Sequence, residues 1–189
     1  MPISRPSPRV VVFDFDGTLV DSDEALLEPF DMLGIDRSRV VMGSAVAEEC
    51  ESLGVSMDAY VDAYDTDSVK PFAGVEEMLS GIPRWTILSN KHPRPAMAEL
   101  ARLGWAPEVV MCADAFDWAH KSLVPMLERM GLDASDVAMV GDSGGDLRCA
   151  QEVGCRFLWA GWNPRVRDAD PEGEVLDEPA QLLSALGLP

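Results

Sequence analysis

Residues 10–13 read Val-Val-Val-Phe, and this apolar run breaks at Asp14-Phe15-Asp16-Gly17-Thr18. A short apolar stretch ending in acids fits a strand buried on both faces whose C-terminal end opens to ligand. Side chains at i and i+2 of a strand share a face and stand roughly 6.6 Å apart. Asp14 and Asp16 therefore project together from the strand end, where open α/β sheets hold their ligands. Two acids this close repel unless a cation or a shared proton relieves them. The pattern points to metal-assisted chemistry with one nucleophile and one proton carrier. Taken alone, it is also compatible with an Asx-rich turn after a core strand.

The same grammar recurs along the chain: a short apolar run, a polar residue or glycine, then a helical pattern. Trp85–Leu88 leads to Ser89-Asn90-Lys91, Val109–Cys112 to Ala113-Asp114, Val137–Val140 to Gly141-Asp142, and Phe157–Trp159 to Ala160-Gly161. Helices are predicted between them over Pro95–Leu103 (carrying Met97, Leu100 and Ala101), Ser122–Met130, Gly145–Val153 and Ala180–Leu186. Gly104, Gly131 and Gly154 stand where helix C-terminal glycines belong. Alternating strand and helix predicts an α/β fold, a doubly wound, Rossmann-like parallel sheet of about five strands. The stretch from 21 to 70 interrupts this rhythm. It is helical throughout, over Glu24–Leu33, Ser38–Leu53 and Met57–Tyr64, and predicts a small all-helical cap inserted after the first strand. Residues 1–20 and 71–189 then form the α/β core.

The 189 residues can bury one good core with room for such a module. The formal charge of −18 argues against nucleic acid or an anionic membrane as partner. It also requires a local cation to draw in any anionic substrate. Lysine is scarce, with Lys70, Lys91 and Lys121 against twelve arginines. Cys50, Cys112, Cys149 and Cys155 show no paired metal-ligand spacing, so they read as reduced thiols. No stretch approaches a membrane span, and a cytoplasmic location is expected.

Four polar clusters close four of the predicted strand units: Asp14/Asp16, Ser89-Asn90, Lys121 before a helix, and Gly141-Asp142-Ser143-Gly144-Gly145-Asp146. Taken singly, Asp146 also fits a helix N-terminal charge and Ser89 a helix cap. Together, and in this order, they resemble the haloacid dehalogenase-like hydrolase superfamily. Its D-x-D-G-T motif matches Asp14 to Thr18, its strand-ending Ser or Thr matches Ser89, its Lys matches Lys121, and its G-D-x-x-x-D matches Gly141 to Asp146. The wording around Asp21-Ser22, Ser89-Asn90-Lys91 and Gly141-Asp142-Ser143 is most similar to the phosphoglycolate phosphatase-like branch with a helical cap. Ser122 stands where that branch usually has proline, and the cap is shorter than is common there.

The resemblance implies a Mg²⁺-dependent phosphatase hydrolysing a small phosphorylated metabolite through an aspartyl-phosphate. Asp14 is implied as nucleophile and Asp16 as proton carrier. Ser89, the Asn90 amide and Lys121 are implied as phosphoryl-binding groups. Asp14, Asp16 (through its carbonyl), Asp142 and Asp146 are implied as the metal site. A phosphomutase, or a catalytically silent binding subunit on the same fold, are the alternatives. Arg37 and Arg39 in the cap, and Lys91 and His92 after Ser89, are candidate contacts for the rest of the substrate. Trp159, Trp162 and Asn163 read as packing and loop residues. Oligomeric state is not readable from the sequence.

Overall fold

In the computed structural model, residues 7–42 and 44–188 are described. Six parallel strands form the sheet: β1 (Val10–Phe13), β4 (Trp85–Leu88), β5 (Val110–Met111), β6 (Val137–Gly141), β7 (Arg156–Ala160) and β8 (Val175–Leu176). Their spatial order is β5-β4-β1-β6-β7-β8. The sixth strand, β8, exceeds the five expected. It is two residues long and pairs only with β7, too short to leave a periodic signal in the sequence.

β1 lies between β4 and β6, with Phe13 opposite both Ile87 and Val140. Its four residues are buried on both sides, as the unbroken apolar run requires. Val11 and Phe13 face one core layer together with Met78 and Leu79 of α4 (Val75–Ser80), Leu100 of α5 (Pro93–Leu103) and Leu182 of α9 (Gln181–Leu186). Val10 and Val12 face the other, with Met126 of α6 (Val124–Met130) and Ala150 of α7 (Gly144–Val153). The chain runs outward from β1 through β4 and β5, then crosses back to place β6 on the opposite side. This reversal opens a crevice between the ends of β1 and β6, where doubly wound sheets bind ligands.

A separate antiparallel ribbon, β2 (Val20–Asp21) with β3 (Lys70–Pro71), brackets the helical insert. The insert consists of α1 (Asp23–Met32), α2 (Val46–Leu53) and α3 (Met57–Ala63). The Tyr60 hydroxyl of α3 donates to the Leu26 carbonyl of α1 at 3.0 Å. The Phe30 and Tyr60 rings meet at a tilt of 48° with centres 4.7 Å apart. The continuous helix expected over Ser38–Leu53 is not formed. A single 3₁₀ turn spans Arg37–Arg39, and α2 begins only at Val46. The Asp36 side chain accepts from the Ser38 amide, and the Val41 amide donates to Glu49 at 2.9 Å. These local bonds, with the β-branched pair Val40-Val41, favour extended chain over helix. Among the described residues, no helix is long and apolar enough to cross a membrane.

The phase of α5 also differs from the reading. Its buried residues are Pro95, Ala96, Glu99 and Leu100, while Met97 is 54% exposed. An acid therefore occupies a core-facing position, which shifts the apparent apolar stripe by one residue.

At the crevice edge, a Cβ on Gly141 would lie 2.3 Å from the Asp146 Cβ. Gly141→Ala is expected to push α7 away from β6 and cost about 2–3 kcal/mol, lowering the urea midpoint. Gly144→Ala, whose added methyl would meet only the Arg148 side chain at 3.7 Å, is expected to stay within about 0.5 kcal/mol of the parent.

Candidate active site

Asp14 follows β1 directly, and its amide donates to the Val140 carbonyl at 2.9 Å, locking it beside the end of β6. Asp142 follows β6, and Asp146 lies in the first turn of α7. There the Ser143 amide and hydroxyl donate to Asp146 at 2.9 and 2.6 Å in a capping box. Carboxylate oxygens of Asp14, Asp142 and Asp146 come within 4.8 Å of one another. Gly17, at φ +79°, closes the turn above them; a Cβ there would sit 2.3 Å from Asp142 Oδ2. The cradle admits only glycine.

Lys121 fills the space between these acids. Its Nζ contacts Asp14 Oδ1 at 2.5 Å and Asp146 Oδ1 at 2.6 Å, and donates to the Leu88 carbonyl at 3.2 Å. The Asn90 side chain accepts from the Lys121 amide at 2.9 Å, fixing the loop that delivers it. Burial alone would lower the Lys121 pKa, but the adjoining Asp14 and Asp146 carboxylates raise it above the ordinary value. Burial, reinforced by Asp146, pushes Asp14 up to about 7 despite Lys121. Burial and then Asp14 and Asp146 push Asp142 well above the carboxylate range. Crowded, desolvated carboxylates of this kind gain most from a divalent cation. An all-oxygen donor set suits a hard ion such as Mg²⁺.

Ser89 is buried at the end of β4, with its amide bonded to the Met111 carbonyl and its hydroxyl accepting from the Lys91 amide at 3.1 Å. Ser89, Asn90, Lys121, Asp14, Asp16 and Asp142 line one cleft. The Asp16 carboxylate turns away from the three clustered acids and accepts from Lys91 Nζ at 2.7 Å. Lys91 is buried and also donates to the Tyr64 hydroxyl at 2.7 Å and faces Glu99 at 3.1 Å. Because an ammonium accepts nothing, the Tyr64 oxygen is the acceptor in that bond. Glu99 is fully buried, and burial pushes it up to about 7 against the pull of Lys91.

Arg165 lay beyond the sequence reading, and Trp162 and Asn163, read there as packing and loop residues, bond to the backbone of the first motif. Arg165, in α8 (Pro164–Ala169), donates to Asp142 Oδ2 at 2.9 Å and to Asp23 Oδ1 of α1 at 2.8 Å. Asn163 donates to the Gly17 carbonyl at 2.8 Å, and the Trp162 indole donates to the Thr18 carbonyl at 2.7 Å. The clue available was position: Trp162-Asn163-Pro164-Arg165 follows a strand at the same sheet edge as the other clusters. Arg37 instead pairs with Glu24 and Asp31 on α1, and neither it nor Arg39 lines the cleft. His92 lines it, with its ring stacked on Trp118 at 5.2 Å.

The haloacid dehalogenase-like hydrolase family model matches residues 11–160. The chain belongs to this family. It is 30% identical to a phosphoglycolate phosphatase of Xylella fastidiosa, over 97% of this chain and 96% of the relative. An N-acetylmuramic acid 6-phosphate phosphatase of Pseudomonas aeruginosa is 26% identical over 97% of each chain. A hydrolase from Pseudomonas syringae superposes with TM-score 0.74 at 18% identity, covering 96% of this chain and 98% of its own. At that identity the superposition speaks to the fold alone, and it is the fold described above.

Lys91→Met leaves Asp16 and Glu99 without their cation, and is expected to cost about 3–5 kcal/mol at neutral pH. Glu99 holds its proton more tightly folded, at about 7, than at its ordinary 4.5. Its stabilising contribution is therefore complete below about pH 4.5 and is lost as pH rises through 7. Glu99→Gln removes that loss, so urea midpoints measured across this window should fall less steeply with pH than in the parent.

Proposed function

We propose that this hydrolase is a Mg²⁺-dependent phosphatase that cleaves a small-molecule phosphomonoester through an aspartyl-phosphate on Asp14. The observation that carries the reading is the convergence of Asp14, Asp142 and Asp146 around Lys121 at the sheet's crevice. The phosphatase names of the relatives support the ester class. Asp14, the Asp16 carbonyl and Asp142 would hold the ion, with Asp146 orienting them. Bound there, Mg²⁺ would offset charge on the transferring phosphoryl group.

Lys121 keeps Asp14 directed for attack, and with Ser89 and the Asn90 amide it binds the phosphoryl oxygens. Donors placed where charge develops contribute about 3–4 kcal/mol each. Asp14 oxygen forms a bond to phosphorus as the ester P–O bond breaks, and Asp16 delivers its proton to the departing alkoxide. A water then attacks phosphorus, Asp16 takes its proton, and the P–O bond to Asp14 breaks to release inorganic phosphate. Lys91 holds the Asp16 carboxyl between these steps. The helical insert, residues 21–70, serves as the cap over the leaving group.

Phosphate release from a panel of phosphomonoesters should require Mg²⁺, cease with EDTA, and fall more than about a hundredfold in Asp14→Asn. Equal turnover by parent and variant would remove Asp14 as nucleophile. Asp16→Asn should lose more on alkyl phosphates than on 4-nitrophenyl phosphate, whose leaving group needs little protonation. Parent protein inert on every ester would favour a silent binding subunit.

A further inference from the structure

We infer that the site selects the phosphomonoester of a short uncharged alcohol over one whose leaving group carries a carboxylate or second phosphate. This rests on the phosphatase reading above and narrows it.

The insert's side of the cleft is formed by Leu26, Met42, Ser44, Val46 and Tyr60. These present apolar surface and hydroxyls. Tyr60 already donates its proton to the Leu26 carbonyl. Among the described residues, the lysines and arginine that reach the cleft are Lys91, Lys121 and Arg165, and each is already shared between two carboxyl groups. Lys91 serves Asp16 and Glu99, Lys121 serves Asp14 and Asp146, and Arg165 serves Asp142 and Asp23. Each cation in the cleft is thus already engaged by two carboxyl groups.

The phosphoryl group uses Lys121 and the Ser89–Asn90 turn. A second anion on the leaving group would have to take Lys91 or Arg165 from its carboxylates, or lie desolvated against the insert's apolar wall. His92 offers a neutral Nε2–H donor and no positive charge. Its Nδ1 accepts from the Arg94 amide at 3.1 Å, and its ring is packed on Trp118. An uncharged alcohol meets none of these costs. The cleft is small, with a volume of about 80 Å³ against the roughly 150 Å³ that houses benzene in an engineered core, which favours a short alcohol over a bulky one.

The test is a matched pair, 2-hydroxyethyl phosphate and 2-phosphoglycolate, alike in length and differing in a CH₂OH against a carboxylate. Both are measured with Mg²⁺ as substrates, and as competitors of 4-nitrophenyl phosphate hydrolysis. The expected result is a kcat/KM at least about tenfold higher for 2-hydroxyethyl phosphate, with tighter competition in the same order. Leu26→Lys, which adds an unshared cation on the insert's wall, should move the ratio toward 2-phosphoglycolate by about tenfold. A ratio is unaffected by the folded fraction of the variant. Equal or better use of 2-phosphoglycolate by the parent, or competition by neither compound, overturns the inference while Mg²⁺-dependent hydrolysis of 4-nitrophenyl phosphate upholds the phosphatase. Loss of that hydrolysis as well would take down both.

Discussion

The crevice at the sheet edge depends on neutralising acids that the fold forces together. Asp14, Asp142 and Asp146 lie within 4.8 Å in a buried crevice, and at that separation like charges oppose folding. Lys121 answers two of them at once. Arg165 answers the third and Lys91 answers Asp16. Asp14 and Asp16 are each paired with a cation far away in sequence: Lys121 is 107 residues from Asp14, and Lys91 is 75 from Asp16. The acid cluster is thus tolerable only once the sheet has closed. Buried pairs of this kind are costly to break from either side.

The three cations also join the layers. Lys121 ties the loop before α6 to β1 and α7. Arg165 ties α8 to the end of β6 and to α1 of the insert. Lys91 ties the turn after β4 to Asp16, to Glu99 of α5 and to Tyr64 at the end of α3. Two of the three therefore hold the helical insert against the sheet at the cleft itself. The insert's orientation over the site is set there by charge, in addition to the apolar surface of Phe30, Tyr60 and Val61 that continues the main core.

The sheet and the acid-bearing strand ends were legible because they are written locally. Four consecutive apolar residues followed by Asp-x-Asp is a complete statement about a strand and its exit. So is a glycine after a helical stripe, and the positive φ of Gly104, Gly131 and Gly154 agrees. What escaped was written across distance. Arg165 looks like any surface arginine until Asp142 and Asp23 are placed beside it. Glu99 carried a readable clue, an acid on the inward stripe of α5, yet Met97 offered a more familiar apolar phase and turned out exposed. The stretch after Asp36 failed for another reason. Its helical periodicity was outweighed by a side-chain cap and an extended β-branched pair, which leave the helix to start at Val46.

The glycines of the motifs complete the argument. Gly17 and Gly141 abut carboxylates so closely that any Cβ would stand 2.3 Å from an atom of Asp142 or Asp146. The acids converge because the chain beside them carries no side chain, and Gly17 further supplies the left-handed turn that brings Thr18 back to donate to Asp14 at 3.3 Å. A sequence that kept all four acids but filled either glycine would separate the crevice by the width of a methyl group. The acids would then stand too far apart for Lys121 to contact Asp14 and Asp146 together. The spacing of the acids in the chain is thus only half of the motif; the other half is the missing side chain between them.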